Sequence, residues 1–333
     1  LVITEDRARA VVPGKTRAAE CPRGVVSIGQ SRPDEDSIDR VVELLAASRR
    51  PLVIAGDGVS ASSARIELAA FAEATGAVVL QEPRRSAARI NVDTEHPNYC
   101  GEYVPEHPAV LEADLIIALG ARVFVEFEPA PEPELPTGVP FVHVHEDASE
   151  LGKRYVPDVA MLGSVRATLR ALLDVLGPAS ADPDFRVRHR SRHERMLVEH
   201  RLVEDGRDLT IALASQILDD VLPDDAIIVD EGIRSARVLL RHLSVPPSRS
   251  YHRNTGGAIG WGLPAGVGAS FARPERDVVL FVGDGSALLS IQALWTAAQH
   301  GCNLTVVVSN NRGYQAVQAA VEKHREGTLG RPA

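Results

Sequence analysis

Apolar residues in the first half of the chain occur in short continuous segments that are separated by amphipathic ones. Ile38, Val41 and Leu45 recur at helical spacing, and Pro51 ends that predicted helix. Continuous apolar runs predict buried strands in PLVIAGDG, AVVLQ, ADLIIALG and VPFVHVHED, and helical spacing returns in SSARIELAAFAEATG and SVRATLRALLDVLG. Strands that alternate with helices predict a parallel sheet with helices on both faces, which we place at residues 36–177.

The same alternation returns in residues 208–333. The predicted helices are LTIALASQILDDVL, SARVLLRHL and SALLSIQALWTAAQHG, and the predicted strands are DDAIIVDEG, DVVLFVGDG and NLTVVVSNN. The glycine-rich segment RNTGGAIGWGLPAGVGASFA is expected to be a loop. The sequence therefore predicts an α/β protein with two doubly wound parallel-sheet domains, a central domain and a second domain.

Two segments lie outside these blocks. Residues 1–35 are polar and contain three prolines, so we interpret them as a linker or as a remnant of another domain. Residues 178–207 contain a proline-containing break and then RVRHRSRHERMLVEHR, which predicts a linker with a surface helix. His189 and His193 are four residues apart in this segment, and a solvated helix face explains them better than a metal site does.

Composition excludes several classes of function. The 333-residue chain has a net charge of −9, whereas nucleic-acid and anionic-membrane partners require basic surfaces. No apolar run approaches the roughly 20 residues that span a bilayer. The three cysteines have neither metal-binding nor disulfide-framework spacing, which fits a reducing compartment. Because the N-terminal segment is charged and has no apolar core, we expect no signal peptide and a cytoplasmic location.

Polar residues follow three predicted strands of the second block. The strand ends are Asp230-Glu231-Gly232, Gly283-Asp284-Gly285 and Asn310-Asn311-Arg312-Gly313. Ligands of such sheets bind beyond the carboxyl ends of the strands. Gly283 and Gly285 allow a ligand to approach the backbone, but Asp284 would repel a phosphate unless a hard divalent cation lay between them. Asn311 and the carbonyl of Gly313, one helix and one strand later, are placed to supply further oxygen ligands to Mg²⁺.

The GDG and NN motifs at this spacing resemble the signature of thiamine diphosphate-dependent enzymes. The run NTGGAIGWGLPAGVGASFARPERDVVLFVGDGSALLSIQALWTAAQHGCNLTVVVSNNRGYQAV is similar to the benzoylformate decarboxylase branch, and a weaker resemblance extends back to residue 36. The resemblance implies that Mg²⁺ is bound by Asp284, Asn311 and Gly313. It implies that the cofactor is bound by Ile233, Arg234, Gly257, Ile259, Gly283, Gly285, Ser286 and Ala287.

The implied roles differ along the cofactor. Gly285, Ser286 and Ala287 would contact the diphosphate through backbone and hydroxyl donors. The carbonyl of Gly257 would accept a hydrogen bond from the aminopyrimidine ring, and Ile259 would be the apolar wedge that bends the cofactor into a V shape. The resemblance assigns the reaction chemistry to the cofactor, and the protein orients and desolvates it.

The chain departs from the family pattern in several places. Ile233 and Arg234 stand where the family has a Thr-Ser pair, which leaves their backbone donors for the diphosphate. In the stretch ARVFVEFEP, Phe127 stands near the place of a substrate-facing histidine of benzoylformate decarboxylase. Residues 1–35 are too few for the pyrimidine-binding domain that supplies the activating glutamate, and the chain ends soon after NNRGYQAV. We therefore expect a fragment, a truncated product or half of a split enzyme.

The resemblance implies a Mg²⁺- and thiamine diphosphate-dependent decarboxylase of 2-oxo acids, a carbon–carbon lyase that is inactive without its pyrimidine domain. We expect a homo-oligomer or a complex with a separate pyrimidine-domain subunit, because family sites form between subunits. An acetolactate synthase-like carboligase, often with FAD in the central domain, is the enzyme alternative, and a non-catalytic cofactor-binding remnant is the other. A nicotinamide dehydrogenase is disfavoured because no GxGxxG stands at a strand-to-helix turn with an acidic residue downstream.

Three other features have simpler structural interpretations. Gly56-Asp57-Gly58 also follows a predicted strand, but no Asn-Asn pair follows at the matching interval, so a strand-to-helix turn is favoured over a metal site. His143 and His145 alternate on a predicted strand and are interpreted as ordinary core or surface histidines. Glu231 is expected to orient the backbone of the cofactor loop, to contact another subunit, or simply to be solvated at its strand end.

Overall fold

Two all-parallel β-sheets, one of six strands and one of four, form the framework of the molecule. The computed structural model describes residues 31–125, 133–178, 180–202, 210–255 and 257–329 of the chain. Helices cover both sheets, and the predicted α/β class with two doubly wound parallel sheets is confirmed. In these described ranges, no helix has both the length and the apolar character that crossing a membrane requires.

The six-stranded sheet lies in the first half of the chain, with strand order β3-β2-β1-β4-β5-β6. Its strands are β1 (Pro51–Ala55), β2 (Val78–Gln81), β3 (Tyr99–Glu102), β4 (Leu115–Leu119), β5 (Phe141–His145) and β6 (Val159–Leu162). Every residue of β1 and β4 is buried, as expected for central strands that have helices or loops on both faces. The strand order reverses between β1 and β4, which is where α/β sheets commonly bind ligands.

Five helices of the described chain flank this sheet. They are α1 (Glu35–Ala47), α2 (Asp57–Ala61), α3 (Arg65–Thr75), α4 (Pro108–Glu112) and α5 (Val165–Val175). Helix α1 begins after Asp34, whose carboxylate accepts a hydrogen bond from the Ser37 amide at 2.8 Å. Helix α3 ends at Gly76, which adopts a left-handed φ of 67° that favours glycine. Separate apolar clusters lie on the two faces of the sheet, so both faces are buried.

Helix α6 (Pro183–Leu202) follows the six-stranded sheet and contacts elements of both sheet regions. The prediction that His189 and His193 lie on a solvated face is wrong, because their exposed fractions are 4% and 9%. Phe185, one turn before His189, is fully buried and packs edge-on against its ring. Arg190 donates to the Tyr99 carbonyl at 2.9 Å. The buried face of this helix was not predicted because charged residues dominate the sequence of the segment.

The four-stranded sheet has strand order β10-β9-β7-β8. Its strands are β7 (Ile227–Glu231), β8 (Ser250–Arg253), β9 (Val278–Gly283) and β10 (Leu304–Ser309). The helices of this region are α7 (Ile211–Val221), α8 (Ala236–His242), α9 (Gly262–Ala272), α10 (Asp284–Leu288), α11 (Ala293–Gln299) and α12 (Gln315–Leu329). Strand β9 is central and buried over Val278–Val282, whereas β10 is an edge strand and is only partly covered.

The structure differs from the sequence-based expectation at one long segment and at several short ones. Residues 262–272, which were expected to form a loop, form helix α9. Its glycines permit close packing, since a Cβ on Gly266 would lie 3.0 Å from Leu304 Cδ1, and this packing outweighs the low helix propensity of glycine. The single helix expected at residues 286–301 is instead the pair α10 and α11. Strands β3 and β8 were not predicted because they are short and lack a continuous apolar run, and β6 was not predicted because its apolar run has only four residues.

Candidate cofactor and metal site

The carboxyl ends of β7, β9 and β10 lie at one edge of the four-stranded sheet because all its strands are parallel. Strands β9 and β10 are direct neighbours, and Ser309 pairs with Gly283. Asp284, the first residue after β9, therefore stands beside Asn310 and Asn311, which follow β10. The adjacency of these strand ends that the spacing predicted is confirmed, and the metal assignment itself stays a prediction.

The oxygen atoms at this edge differ in their hydrogen bonding. Across the described ranges, no residue donates a hydrogen bond to the Asp284 carboxylate. The side-chain oxygen of Asn310 accepts from the Arg312 amide at 3.0 Å, and that of Asn311 accepts from the Gly313 amide at 3.1 Å. An amide oxygen has two lone pairs, so Asn311 retains one acceptor position. The carboxylate, the amide oxygen and the Gly313 carbonyl are thus available as ligands.

The chemistry of these donors fits Mg²⁺. All three are oxygens, which a hard divalent cation prefers, and none is a thiolate or an imidazole. Mg²⁺ commonly takes one or two protein carboxylates and completes its shell with phosphate oxygens and water. No group of three or more His, Cys, Asp or Glu side chains suited to a metal occurs in the described part of the chain. A metal at this edge would therefore depend on amide, carbonyl and phosphate oxygens.

The backbone after β9 is shaped by a close contact. Gly285 lies against the ring of Tyr314, because a Cβ on Gly285 would be 2.7 Å from Tyr314 Cε1. Gly283, in contrast, has open space around it, and the nearest atom to its added Cβ is Ser286 Oγ at 4.0 Å. Ser286 and Ala287 are buried. Tyr314, which is 54% exposed, therefore packs on Gly285 at the border of the candidate site.

Glu231 fixes the backbone that leads into α9. Its buried carboxylate accepts hydrogen bonds from the amides of Trp261 at 3.0 Å and Gly262 at 2.7 Å. Of the roles considered for Glu231, orientation of this backbone is confirmed. Gly257, the predicted pyrimidine contact, has a φ of 70°, and it precedes this point on an exposed turn together with Ile259, the predicted apolar wedge. Their contacts with a cofactor stay predictions.

The turn after β7 contains the other two predicted diphosphate contacts. Ile233 has a φ of 51°, which is unusual for a β-branched residue. The turn is closed by the Ser235 amide, which donates to the Gly232 carbonyl at 3.0 Å. Arg234 directs its guanidinium to the Gln315 carbonyl at 3.3 Å, at the start of α12. The structure thus brings this turn to the same sheet edge as β9 and β10, with the Ile233 and Arg234 side chains exposed.

Sequence reasoning did not identify two residues that support this turn. Arg84, which follows β2 of the six-stranded sheet, donates a hydrogen bond to the Ile233 carbonyl. The hydroxyl of Tyr251 donates to Asp230 Oδ2 at 2.6 Å, and burial together with this carboxylate raises the pKa of Tyr251 well above its usual value. Both contacts join segments that are distant in sequence, and local patterns carry no signal for them.

The first GDG motif has a structural role. Asp57 accepts hydrogen bonds from the amides of Ala88 at 2.6 Å and Arg89 at 3.0 Å, and from Asn91 Nδ2 at 3.1 Å. The carboxylate therefore fixes the segment that follows β2. The interpretation of this motif as a strand-to-helix turn is confirmed, since α2 begins at Asp57.

The two histidines on β5 have the contacts of ordinary structural residues in the described part of the chain. His143 is buried, with Nε2 2.8 Å from the Ala121 carbonyl oxygen, and desolvation lowers its pKa. Its ring centroid lies 6.0 Å from that of His145. These contacts agree with an ordinary core histidine at His143.

Phe127, which stands near the place of the family's substrate-facing histidine, lies outside the described residues, as do residues 1–30.

Two family profiles match the chain. Residues 38–172 match the family described as "Thiamine pyrophosphate enzyme, central domain". Residues 234–332 match "Thiamine pyrophosphate enzyme, C-terminal TPP binding domain". Thiamine pyrophosphate is another name for thiamine diphosphate. The first match covers the six-stranded sheet, and the second covers the candidate site from Arg234 onward.

Curated proteins and solved structures are similar over most of the chain. Benzoylformate decarboxylase of Pseudomonas aeruginosa is 30% identical over 321 residues, which are 92% of this chain and 58% of that protein. A probable chloroplastic acetolactate synthase of Oryza sativa is 31% identical over 87% of this chain and 44% of that protein. The structure of a thiamine diphosphate-dependent 4-hydroxybenzoylformate decarboxylase of Rhodococcus jostii superposes with a TM-score of 0.77 at 28% identity, covering 92% of this chain and 56% of that chain. The chain thus spans about half the length of these relatives.

Proposed function

The chain belongs to the thiamine pyrophosphate-dependent enzyme family, and from this premise we propose that it provides the diphosphate- and Mg²⁺-binding half of a benzoylformate decarboxylase-like enzyme acting on 2-oxo acids. The observation that carries the proposal is the carboxylate of Asp284, which has no hydrogen-bond donor among the described residues and stands beside Asn311 at adjacent strand ends. A carboxylate in that position, between glycines and next to an amide oxygen, suits a cation shared with a diphosphate.

The protein's part in this function is binding and orientation. Asp284, Asn311 and the carbonyl of Gly313 would hold Mg²⁺, which neutralises the diphosphate charge that Asp284 would otherwise repel. The backbone amides of Gly285 and Ala287 and the hydroxyl of Ser286 would donate to diphosphate oxygens. Two observations support these donors. Ser286 and Ala287 are buried, and the backbone at Gly283 beside them has open space around it.

The other end of the cofactor would be oriented by the segment before α9. Glu231 fixes the amides of Trp261 and Gly262, so the preceding turn has a defined path. On that turn, the carbonyl of Gly257 would accept a hydrogen bond from the pyrimidine ring, and Ile259 would support the bend between the two rings. When bound, thiamine diphosphate supplies the nucleophilic carbon of the decarboxylation, and this chain places it and excludes water.

An acetolactate synthase-like carboligase is the second candidate, because acetolactate synthases are 31% and 29% identical to this chain, which is about the identity of the benzoylformate decarboxylase. The benzoylformate decarboxylase of Pseudomonas aeruginosa matches over 321 residues and 58% of its own length, whereas the Oryza sativa synthase matches over 304 residues and 44% of its own length. The similar solved structure from Rhodococcus jostii is also that of a 4-hydroxybenzoylformate decarboxylase. The decarboxylase proposal is therefore preferred.

Calorimetry with neighbouring variants tests the proposed site. We expect the unaltered chain to bind thiamine diphosphate in the presence of Mg²⁺ and at least tenfold more weakly without it, a difference of about 1.4 kcal/mol. Asn311→Ala should lose affinity to a similar extent. Asn310→Ala is the matched control, because it loses the same kind of side-chain-to-backbone hydrogen bond but no proposed ligand. Equal losses in the two variants, or no dependence on Mg²⁺, would remove the metal assignment.

The reaction is tested by supplying the pyrimidine-binding part. We propose that this part lies on a partner subunit or elsewhere in a longer protein. The chain is mixed with a subunit that carries such a domain, and release of carbon dioxide from benzoylformate and formation of acetolactate from pyruvate are both measured. Carbon dioxide release without acetolactate supports the decarboxylase. Acetolactate formation would favour the carboligase, and neither product in a complex that binds the cofactor would favour the non-catalytic alternative.

A further inference from the structure

The diphosphate-binding turn of the four-stranded sheet is held by a side chain from the other sheet region. Ile233 occupies the left-handed region at φ 51°, where a β-branched residue is strained. Such a conformation persists when surrounding contacts determine it. The Arg84 guanidinium supplies such a contact, because Nη1 donates to the Ile233 carbonyl. Its Nη2 lies 3.9 Å from Asp230 Oδ2, at the end of the strand that leads into the turn.

Arg84 also forms an ion pair with the buried carboxylate of Asp230. The Asp230 carboxylate is fully buried, where an unpaired charge would be costly. It accepts hydrogen bonds from the Tyr251 hydroxyl at 2.6 Å and from the Gly232 amide at 2.8 Å, and Arg84 provides the opposite charge. One guanidinium thus contacts the carbonyl of Ile233 and pairs with the carboxylate of Asp230, three residues before it.

The position of Arg84 is itself fixed from the four-stranded sheet. Arg253 on β8 is buried and donates to the carbonyl of Glu82 at 3.1 Å and to that of Ala87 at 2.7 Å, on either side of Arg84. Arg253 Nη1 also lies 3.3 Å from Glu102 Oε1, an atom that accepts a hydrogen bond from the Arg84 amide. The segment that carries Arg84 therefore cannot shift without breaking buried contacts.

We propose that Arg84 is a positioning residue for the cofactor, which sets the backbone of the Ile233 turn so that its amides can receive the diphosphate. This inference rests on the proposed function of the site. It gives the six-stranded region a part in diphosphate binding, through a contact between residues that are 149 positions apart. It also accounts for the Ile-Arg pair at positions 233 and 234, since backbone donors replace hydroxyl donors only if the backbone is held in place.

Affinity for Mg²⁺ with inorganic pyrophosphate, and separately with thiamine diphosphate, tests the proposal by calorimetry on the full chain. Arg84→Ala should weaken both about tenfold while the far-ultraviolet circular dichroism spectrum stays unchanged. The matched control is Arg85→Ala, which removes the same charge at the next position, where the guanidinium pairs with Glu134 and with no residue of the four-stranded region among those described. Arg85→Ala should bind both ligands as the unaltered chain does.

A double-mutant cycle separates positioning from direct contact and from misfolding. Glycine adopts a positive φ without strain, so Ile233→Gly should make the turn less dependent on Arg84. In that background, Arg84→Ala should cost less than threefold in pyrophosphate affinity. A tenfold loss in both backgrounds would mean that the guanidinium acts directly on the ligand and would overturn the positioning role. If Arg84→Ala does not fold, the Arg84→Ala/Asp230→Asn variant, which leaves no buried charge unpaired, replaces it.

The possible failures are distinguishable. If the unaltered chain binds neither ligand with Mg²⁺, the proposed function fails and the Arg84 inference fails with it. If the unaltered chain and Arg84→Ala bind equally well, the proposed function stands and the Arg84 inference is overturned.

Discussion

The tripeptide Gly-Asp-Gly follows a buried parallel strand twice in this molecule, and the two copies have different surroundings. In the six-stranded region, Asp57 accepts three hydrogen bonds from the segment after β2. In the four-stranded region, Asp284 accepts none from the described residues and stands beside Asn311. The same local sequence therefore stabilises the fold at one site and leaves a carboxylate available at the other. What surrounds the motif, rather than the motif, determines its role.

Replacing each aspartate by alanine should change the stability of the fold to different extents, and the largest effect is expected for Asp57. Asp57→Ala leaves three donors of the segment after β2 without their acceptor, two of them partly buried, at a cost of about 3 kcal/mol in the free energy of unfolding. Asp284→Ala should change that free energy by less than about 0.5 kcal/mol, because no hydrogen bond is lost. Urea denaturation measures both. Comparable losses in the two variants would abolish the distinction between a structural and an available carboxylate.

The first glycines of the two motifs sharpen the comparison at a smaller scale. A Cβ on Gly56 would overlap the Ala121 Cα and the Gly120 carbonyl oxygen, and backbone atoms cannot move aside easily. We expect Gly56→Ala to destabilise the protein by about 2–3 kcal/mol. Gly283 has a φ of −72°, which alanine adopts readily, and its nearest neighbour is 4.0 Å away. Gly283→Ala should therefore leave the thermal midpoint unchanged or raise it slightly, and a large decrease would show that the site edge is tightly packed.

A buried carboxyl group gives the six-stranded region a distinctive dependence on pH. Burial raises the pKa of Glu82 to about 8, although Oε1 accepts hydrogen bonds from the amides of Arg122 at 2.8 Å and Val123 at 3.1 Å. Because its pKa is higher in the folded protein than in the unfolded chain, its contribution to stability is complete below pH 4.5 and is lost as the pH rises to about 8.

We expect the free energy of unfolding to decrease across this interval, from the linkage between pKa and stability. Glu82→Gln, which is neutral at every pH, should remove the decrease, and denaturation at several pH values measures it. Desolvation acts to raise the pKa of Glu67, but hydrogen bonds from Arg166 and Arg170 help to lower that pKa overall. Glu67→Gln is therefore a suitable control and should keep the decrease. If Glu82→Gln keeps the same slope between pH 5 and 8, the group is already ionised in the folded state.

Sequence patterns gave the elements of the fold where the signal is local. Strands β9 and β10 were predicted because continuous apolar residues end in polar ones, and the two strands are indeed neighbours. Helix α9 was not predicted, since the contacts that favour its glycines come from Glu231 and Leu304, outside the segment. The buried face of α6 was missed for a similar reason, because its histidines pack against β3 and α4 while arginines dominate its composition.

The candidate site follows the same division. The positions of Asp284 and Asn311 follow from strand order, which periodicity reveals. The contact of Arg84 with Ile233 could not be predicted, because it joins residues 149 positions apart through a backbone carbonyl, and no residue type at either end is specific for it. The left-handed conformation of Ile233 was equally unexpected, since isoleucine normally avoids it.

The location of the bound metal is the most direct test of the account. Crystals of the full chain with thiamine diphosphate and Mn²⁺ in place of Mg²⁺ would give an anomalous signal at the metal. If these residues bind the metal, one peak lies about 2.1 Å from oxygens of Asp284, Asn311 and Gly313, with diphosphate oxygens completing the coordination shell. A peak elsewhere, or a diphosphate bound without any metal between it and Asp284, would contradict the account.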